Sequence, residues 1–288
     1  MKVLGLGDNV ADHYTHINTI YPGGCAYNFA MFSKMLGVDA AYLGIVGDDP
    51  AGTHVLRTAR DEGVDTSRCR IYHGEAPRPA VRIEAGERIF VGCNTGGVWE
   101  RPLLLDDDDL AYIRGFALVH TSLYSFIEPE LGRLAATGVP LSFDFSDEAG
   151  DTFLEAHCPR VTFAILSCGQ LTEAETEQRI RQVHAYGAPY VIATRGAHGS
   201  FFADGHTIHR HPAHLVEARD TMGAGDSFLT GFLLSYVGWL KGNDRDASAD
   251  ERHAAAERAL EAAADFAAKV CMIDGSSGHG ARFEAQPG

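Results

Sequence analysis

Short apolar runs alternate with amphipathic stretches along nearly the whole chain, and this alternation restricts the fold more than any other feature. Val3–Gly7 is an apolar run ending in a Gly-rich turn and reads as a buried strand. Asn28–Leu36 has apolar residues at helical spacing and stops at Gly37, a residue suited to a C-cap. Ala40–Val46 reads as a second strand, closed by Gly47-Asp48-Asp49-Pro50, and Gly52–Glu62 as a helix that stops at Gly63. Further on, Leu118–Ser122, Leu141–Phe145, Ala164–Ser167 and Tyr190–Thr194 read as strands. Gly199–Ala203 pairs with the last of these around Arg195-Gly196-Ala197-His198. Glu130–Thr137, Thr172–Ala185, Gly225–Tyr236 and Ala249–Ala268 read as helices. Repetition of strand and helix predicts an α/β domain with a mostly parallel sheet.

The rhythm breaks between Ala80 and Val98. There Val81, Ile83, Ile89 and Val91 alternate with polar residues around a turn at Ala85-Gly86-Glu87, which predicts a β-hairpin with one apolar face. A hairpin set into an α/β chain serves as a lid or a dimer contact, and both readings stand. No internal repeat or linker divides residues 1–288, so one domain is expected. The Gly- and Ser-rich stretch from Gly275 to Gly288 reads as a partly frayed tail.

Composition excludes several function classes. Thirty-nine acids against 24 bases give a net charge of −15, a surface that repels phosphate backbones and anionic lipid. No nucleic-acid or membrane partner is expected. The six cysteines are scattered without a C-x-x-C pair, which suits reduced thiols in the cytoplasm. The opening Met-Lys-Val-Leu-Gly-Leu-Gly-Asp reaches an acid too soon for a signal peptide, and Phe228–Leu240 is too short an apolar run to span a bilayer.

The most informative stretch is Asp220-Thr221-Met222-Gly223-Ala224-Gly225-Asp226, at the start of a predicted helix. Glycines on either side of Ala224 let the backbone turn tightly and aim unpaired amides at one point. The helix dipole makes that point attractive to an anion. Asp226 stands beside it, placed to accept the proton of an attacking hydroxyl. An ordinary Gly-rich turn followed by a first-turn carboxylate is the other reading of the same residues.

This run resembles the C-terminal signature of the ribokinase-type (PfkB) carbohydrate kinases, and other motifs follow in the family's order. Gly23-Gly24-Cys25-Ala26-Tyr27-Asn28 is similar to the N-terminal signature, and Gly44-Ile45-Val46-Gly47-Asp48-Asp49 with Gly52 to its second turn. Glu62-Gly63-Val64-Asp65 resembles the helix end before the lid, and Thr194-Arg195-Gly196-Ala197-His198-Gly199 the nucleotide-side loop. The resemblance spans about residues 3–275 and implies a ribokinase-like fold. In that fold helices cover both faces of the sheet, and a small β lid is built from residues 10–22 and 80–98. It further implies Asp226 as catalytic base and Gly223, Ala224 and Gly225 as the anion hole. Asp8, Asp12, Gly23, Gly24 and Asn28 are implied as sugar-binding, and Thr194, Gly196, Gly199 and Thr221 as nucleotide-binding. Asp220 and Met222 are implied as holders of a monovalent cation. The substrates would be a small sugar and ATP, with Mg²⁺ bridging the phosphates. A homodimer through the lid is also implied.

Two departures stand out. Where the family carries Asn-x-x-Glu near the metal, this chain reads Ser167-Cys168-Gly169-Gln170, with Glu173 and Glu175 as the next acids. Where some members carry a lysine after the two glycines, Cys25 stands, which argues against a ribose-type substrate. Gly7-Asp8-Asn9, Pro22-Gly23-Gly24 and Phe143-Asp144-Phe145-Ser146-Asp147 look like the fructoselysine 6-kinase branch. That branch implies a ketosugar bearing an amine, with Asp8 and Asp144 as carboxylates for the cationic nitrogen. A kinase of another sugar or of a nucleoside, and a non-catalytic sugar or nucleotide sensor of the same fold, are the competing readings.

Weaker signals take plain readings. Gly5-Leu6-Gly7-Asp8-Asn9-Val10 has too few glycines for a dinucleotide fingerprint. His206, His209, His211 and His214 crowd one segment, with His209 and His211 on one strand face. No acid or cysteine completes the set, so a solvated strand edge is expected. Asp106–Asp109 reads as a solvated helix start.

Overall fold

The computed structural model describes every residue except 85–86, 95–96, 244–246 and 284–288. In chain order, β1 (Lys2–Leu6), β2 (Val10–Tyr14) and β3 (Thr19–Gly23) lead to α1 (Cys25–Met35). Next come β4 (Asp39–Leu43), β5 (Ile45–Gly47), α2 (Pro50–Asp61), β6 (Arg70–Tyr72), β7 (Pro79–Glu84) and β8 (Glu87–Cys93). The middle of the chain holds α3 (Asp107–Ile113), β9 (Leu118–Ser122), α4 (Leu131–Ala135), β10 (Leu141–Asp144), α5 (Asp151–His157) and β11 (Phe163–Ser167). The last part holds α6 (Glu173–Ala185), β12 (Tyr190–Thr194), β13 (Ser200–Ala203), β14 (Ile208–His211), α7 (Ala224–Gly242), α8 (Ala249–Val270) and β15 (Ala281–Arg282).

Among the described residues the main sheet runs β14-β13-β12-β11-β10-β9-β1-β4, parallel throughout except for antiparallel β13 and β14. Side chains of a strand point alternately to its two faces, and the core splits on that period. Val3, Ile165, Ile192 and Phe202 pack with α1, α2, α7 and α8 on one face. Their neighbours Leu4, Leu166, Val191 and Phe201 pack with α3, α4, α5 and α6 on the other. Apolar residues at consecutive positions therefore mark strands covered on both sides, as a parallel sheet requires.

From β1 the chain moves to β4 on one side and later returns to β9 on the other. The crevice at the carboxyl ends of β1 and β9 is the switch point where ligands of such sheets sit. A second sheet, β15-β3-β2-β7-β8, stands over that end.

Several elements differ from the sequence expectations. Ala40–Val46 splits at Gly44, where the backbone packs so closely that a Cβ would meet the Tyr42 hydroxyl at 2.0 Å and the Gly7 carbonyl at 2.4 Å. The chain leaves the main sheet at that point, and β5 pairs with β6, a strand too short and exposed to show alternation. Helix α1 starts at Cys25, not Asn28, and α7 continues to Gly242, six residues past Tyr236. Neither α5 nor the capping-box helix α3 was fully expected; Asp109 is buried and takes the guanidinium groups of Arg68 and Arg70, so that acidic run is only partly solvated. The hairpin ends at Cys93, and Val98 is buried in a 3₁₀ turn, Gly97–Glu100. Val81 is buried while Val91 is exposed, after a register shift at Ala80/Val81, and the turn at Ala85-Gly86 lies outside the described residues. Gly275–Phe283 is no frayed tail: Ser276 is fully buried and β15 pairs with β3.

One contact fixes how closely helix and sheet approach. A Cβ on Gly5 would fall 2.0 Å from the carbonyl oxygen of Ala26, so the first turn of α1 rests directly on β1. Gly5→Ala should therefore destabilise the fold by about 1–3 kcal/mol through overpacking. Denaturant unfolding measures it, and an unchanged midpoint would show that this contact is looser than described.

Candidate active site

The Gly-rich run of the sequence forms the start of α7. Its cap, Gly223, is left-handed (φ 74°) and has no side chain to cap the helix; a Cβ there would meet Ser276 at 2.8 Å. The amides of Gly225 and Asp226 are first-turn amides with no intrahelical carbonyl to meet. Around Gly225 nothing lies within 4 Å of a built Cβ, so the backbone borders open space.

That space is a cavity of about 430 Å³ lined by Thr194, Gly196, Gly199, Thr221, Ala224 and Gly225, with an apolar wall from Leu215, Val216, Phe228 and Ala264. On the other side of the same helix start lies a cavity of about 470 Å³ between the two sheets. Asp8, Asp12, Gly24, Cys25, Asn28, Met222 and Asp226 line it, and Phe90, Trp99 and Phe126 stand at its rim. Most of the sequence-predicted residues thus divide between two cavities that meet at the start of α7, while Gly23, Asp220 and Gly223 line neither.

Asp226 is held in place by a buried chain. Asn28 donates through Nδ2 to Asp226 Oδ2 at 2.7 Å, while Ser276 Oγ donates to Asn28 Oδ1 at 2.9 Å. Asn28, expected as a sugar contact, therefore spends both ends of its amide on the protein. Asp8 is similar: Ser122 and Ser125 donate to Oδ1 at 2.9 and 2.8 Å, Ala26 N at 3.2 Å, and Cys25 N donates to Oδ2 at 2.6 Å. This carboxylate, in the loop after β1, caps the amino end of α1 and forms cavity wall. Gly23 and Gly24 are needed for closeness, since Cβ atoms there would stand 2.5 Å from an Asp12 carboxylate oxygen and 2.9 Å from an Asp8 oxygen.

Asp220, expected as a cation ligand, accepts from Met222 N at 2.9 Å, Tyr14 Oη at 2.6 Å and Gly275 N at 2.8 Å. It knots β2, the α7 cap and the C-terminal segment together, and such a donor-filled carboxylate does not fit a cation cage. Nor do the acids near Ser167 fit Mg²⁺. Glu175 caps α6 through Thr172, Glu173 faces Arg195 at 3.8 Å, and Ser167–Gln170 border a separate polar cleft.

Sequence reasoning missed Ser122, Ser125 and Ser276, because a serine carries no signal until the fold brings it to a carboxylate. It also left Cys25 without a role. The Cys25 thiol and the carboxylates of Asp144 and Asp226 have polar atoms within 4.8 Å of one another. Burial pushes the thiol pKa well up, and the charges of Asp226 and Asp8 add to this. Asp144, at the end of β10, is pushed up to about 7 by burial, against a lowering hydrogen bond from Ser146 N, with the charges of Asp226 and Asp8 raising it further.

The sign of that shift has a measurable consequence. Between its ordinary value and about 7 the folded protein holds a proton on Asp144 that the unfolded chain has lost, so stability falls as pH rises through that window. Asp144→Asn removes the penalty. The Tm of the variant relative to the parent should rise from about pH 5 to about pH 8. A difference that does not vary with pH would contradict the buried carboxylate cluster.

Comparison with known proteins agrees with this geometry. The pfkB family carbohydrate kinase profile matches residues 6–277. Fructosamine kinase FrlD of Bacillus subtilis is 38% identical over 290 residues, covering 100% of this chain and 97% of that protein. Fructoselysine 6-kinase of Escherichia coli is 34% identical over 244 residues, covering 84% and 91%. Arabidopsis thaliana ribokinase, solved with ribose and ATP, superposes with a TM-score of 0.76 at 19% identity, covering 96% of this chain and 94% of that one; it has the same fold. Among the described residues no helix is long and apolar enough to cross a membrane. The chain belongs to the pfkB family of carbohydrate kinases, and its chemistry is phosphoryl transfer from ATP to a sugar.

Proposed function

We propose that the substrate is a fructosamine, a ketosugar carrying a substituted amine, phosphorylated on a hydroxyl that Asp226 deprotonates. The observation that carries this reading is the shared helix start. Asp226 borders one cavity while Ala224 and Gly225 border the next, so a sugar hydroxyl and a nucleotide's terminal phosphate would meet at the first turn of α7. The nucleotide lies in the cavity of Thr194, Gly196, Gly199 and Thr221, with its base against Leu215, Val216 and Phe228. Mg²⁺ arrives as part of the nucleotide substrate, and no step is assigned to a resident metal.

Phosphoryl transfer needs positioning and charge stabilisation more than covalent chemistry. The amides of Gly225 and Asp226 supply partial positive charge where it builds on the transferring group. Asn28 and Ser276 fix the Asp226 carboxylate, so its proton-accepting oxygen is aimed before the sugar arrives. The second sheet, carrying Val10, Asp12 and Phe90 over the cavity, acts as the lid that keeps water from the phosphate.

Two features favour an aminated sugar over a plain one. Asp8 and Asp226 line the cavity with Asp144 close behind Asp226, and a secondary ammonium is the substrate group that relieves their repulsion. The rim is aromatic: Trp99 and Phe126 lie 6.0 Å apart, and Phe126 is held left-handed at φ 50° with its ring half exposed. Such a rim gives the carbon chain of an amine substituent a surface to cover. The kinship with fructosamine and fructoselysine kinases points the same way.

ADP release over a panel of fructoselysine, other fructosamines, fructose, ribose and adenosine is the test. Fructosamines should give the highest kcat/KM. Preference for ribose or adenosine would refute the substrate assignment, and binding without ADP release would indicate a sensor. Asp226→Asn should lower kcat about 10²–10⁴-fold with ATP affinity retained. Trp99→Ala should raise KM about tenfold for fructoselysine and little for fructose, the loss expected when one ring no longer covers an apolar chain.

A further inference from the structure

The histidine-rich segment has no part in phosphoryl transfer, and it is not a solvated edge: His209 and His211 are buried against α8. On that helix His253, Glu257, Glu261 and Asp265 recur at every fourth residue and so share one face. The expectation that no acid completes a metal set fails here, because the acids come from a helix some fifty residues away.

The hydrogen bonds fix the tautomers. His211 Nδ1 lies 2.8 Å from the carbonyl oxygen of Pro212, and His214 Nδ1 lies 2.9 Å from Asp265 Oδ1. Neither acceptor carries a hydrogen, so each Nδ1 is the donating nitrogen, and Nε2 is the atom each ring has left for a further partner. Glu261 Oε2 lies 2.8 Å from His211 Nε2 and 3.8 Å from His214 Nε2. A single cation among these three atoms meets them all.

We propose that His211, His214 and Glu261 bind a divalent cation of the zinc type. Two imidazoles and a carboxylate, with a fourth position left to water, form a standard donor set for Zn²⁺. Tetrahedral ligation separates donor atoms by roughly 3.3 Å, and the observed spacings bracket that. The Pro212 carbonyl and Asp265 carboxylate are the outer partners that orient metal-binding histidines. His211 is buried, while His214 and Glu261 reach the surface and leave the ion a path in. His214 also lines the cavity bordered by Gly225, so the ion would fasten that wall to α8. One helical turn earlier, His209, His253 and Glu257 cluster too, but neither ring nitrogen of His209 makes a hydrogen bond and no outer partner orients it.

Isothermal titration of Zn²⁺ into tag-free, chelator-stripped full-length enzyme should show one ion with micromolar or tighter affinity. Co²⁺ in its place should give visible d–d bands of four- or five-coordinate intensity. His214→Ala and Glu261→Gln, both at surface positions, should each weaken binding at least tenfold and remove the bands, with circular dichroism unchanged. His253→Ala should do neither. Absence of binding by the parent enzyme, binding that survives both substitutions, or binding lost only in His253→Ala would each overturn the assignment.

Discussion

The orientation of one buried amide underlies the site. Asn28 accepts from Ser276 on one side and donates to Asp226 on the other, and flipping its amide would set the carbonyl oxygen against the Asp226 carboxylate. Through it, the first helix, the C-terminal segment and the penultimate helix agree on where a single carboxylate oxygen points. A buried polar group left unpaired costs about 1–3 kcal/mol, so this arrangement resists distortion far more than a solvent-exposed Asp226 would. The same residues place bare amides beside that oxygen, because Gly223 can turn left-handed against Ser276 where a side chain would collide.

Carboxylates crowd the neighbouring cavity, yet they are not equivalent. Asp8 has its oxygens filled by two serines and two amides, which disperse its charge into α1 and β9. Asp144 receives one amide from Ser146 and lies in a buried setting, so it is the member that takes up a proton. Behind Cys25 and Asp226 there is therefore an acid whose ionisation follows the charges around it, and a cationic group bound nearby would draw it into the charged form. Net charge of the whole chain says little about this; local donors decide it.

Much of the fold was legible because it rests on periodicity. Strands buried on both faces show as short apolar runs, and Leu118–Ser122 and Tyr190–Thr194 were readable to the residue. What failed was long-range. Nothing local distinguishes Ser276 in a Gly- and Ser-rich tail from a solvated serine, and only the return of that tail over Pro22 and Asn28 buries it. For Asp8, Asn28 and Asp220 the motifs showed the glycine-flanked turns they belong to, but not the protein groups that hold each of them in place. Most of those partners are far off in sequence, up to 248 residues for Ser276 and Asn28. The histidine segment was misread for the same reason, since its acids lie on another helix.

The attachments of the second sheet differ along its width, and this bears on how such a sheet can cover a cavity and still admit a ligand. Strands β2 and β3 are paired over five residues, and β15 ties β3 to the segment that also feeds Gly275 to Asp220 and Ser276 to Asn28. That half of the sheet cannot shift without disturbing the carboxylate chain. Among the described residues the β7–β8 hairpin pairs with β2 at His13↔Ala80 and Tyr14↔Val81, with the Ala11 amide bonding Pro77 and the Thr15 amide and hydroxyl bonding Val81 at the ends. Fewer ladder bonds hold it, and it carries Phe90 over the cavity while the fixed half carries Asp12. A division of this kind lets the outer strands yield to a substrate while Asp12 stays in register with Asp226.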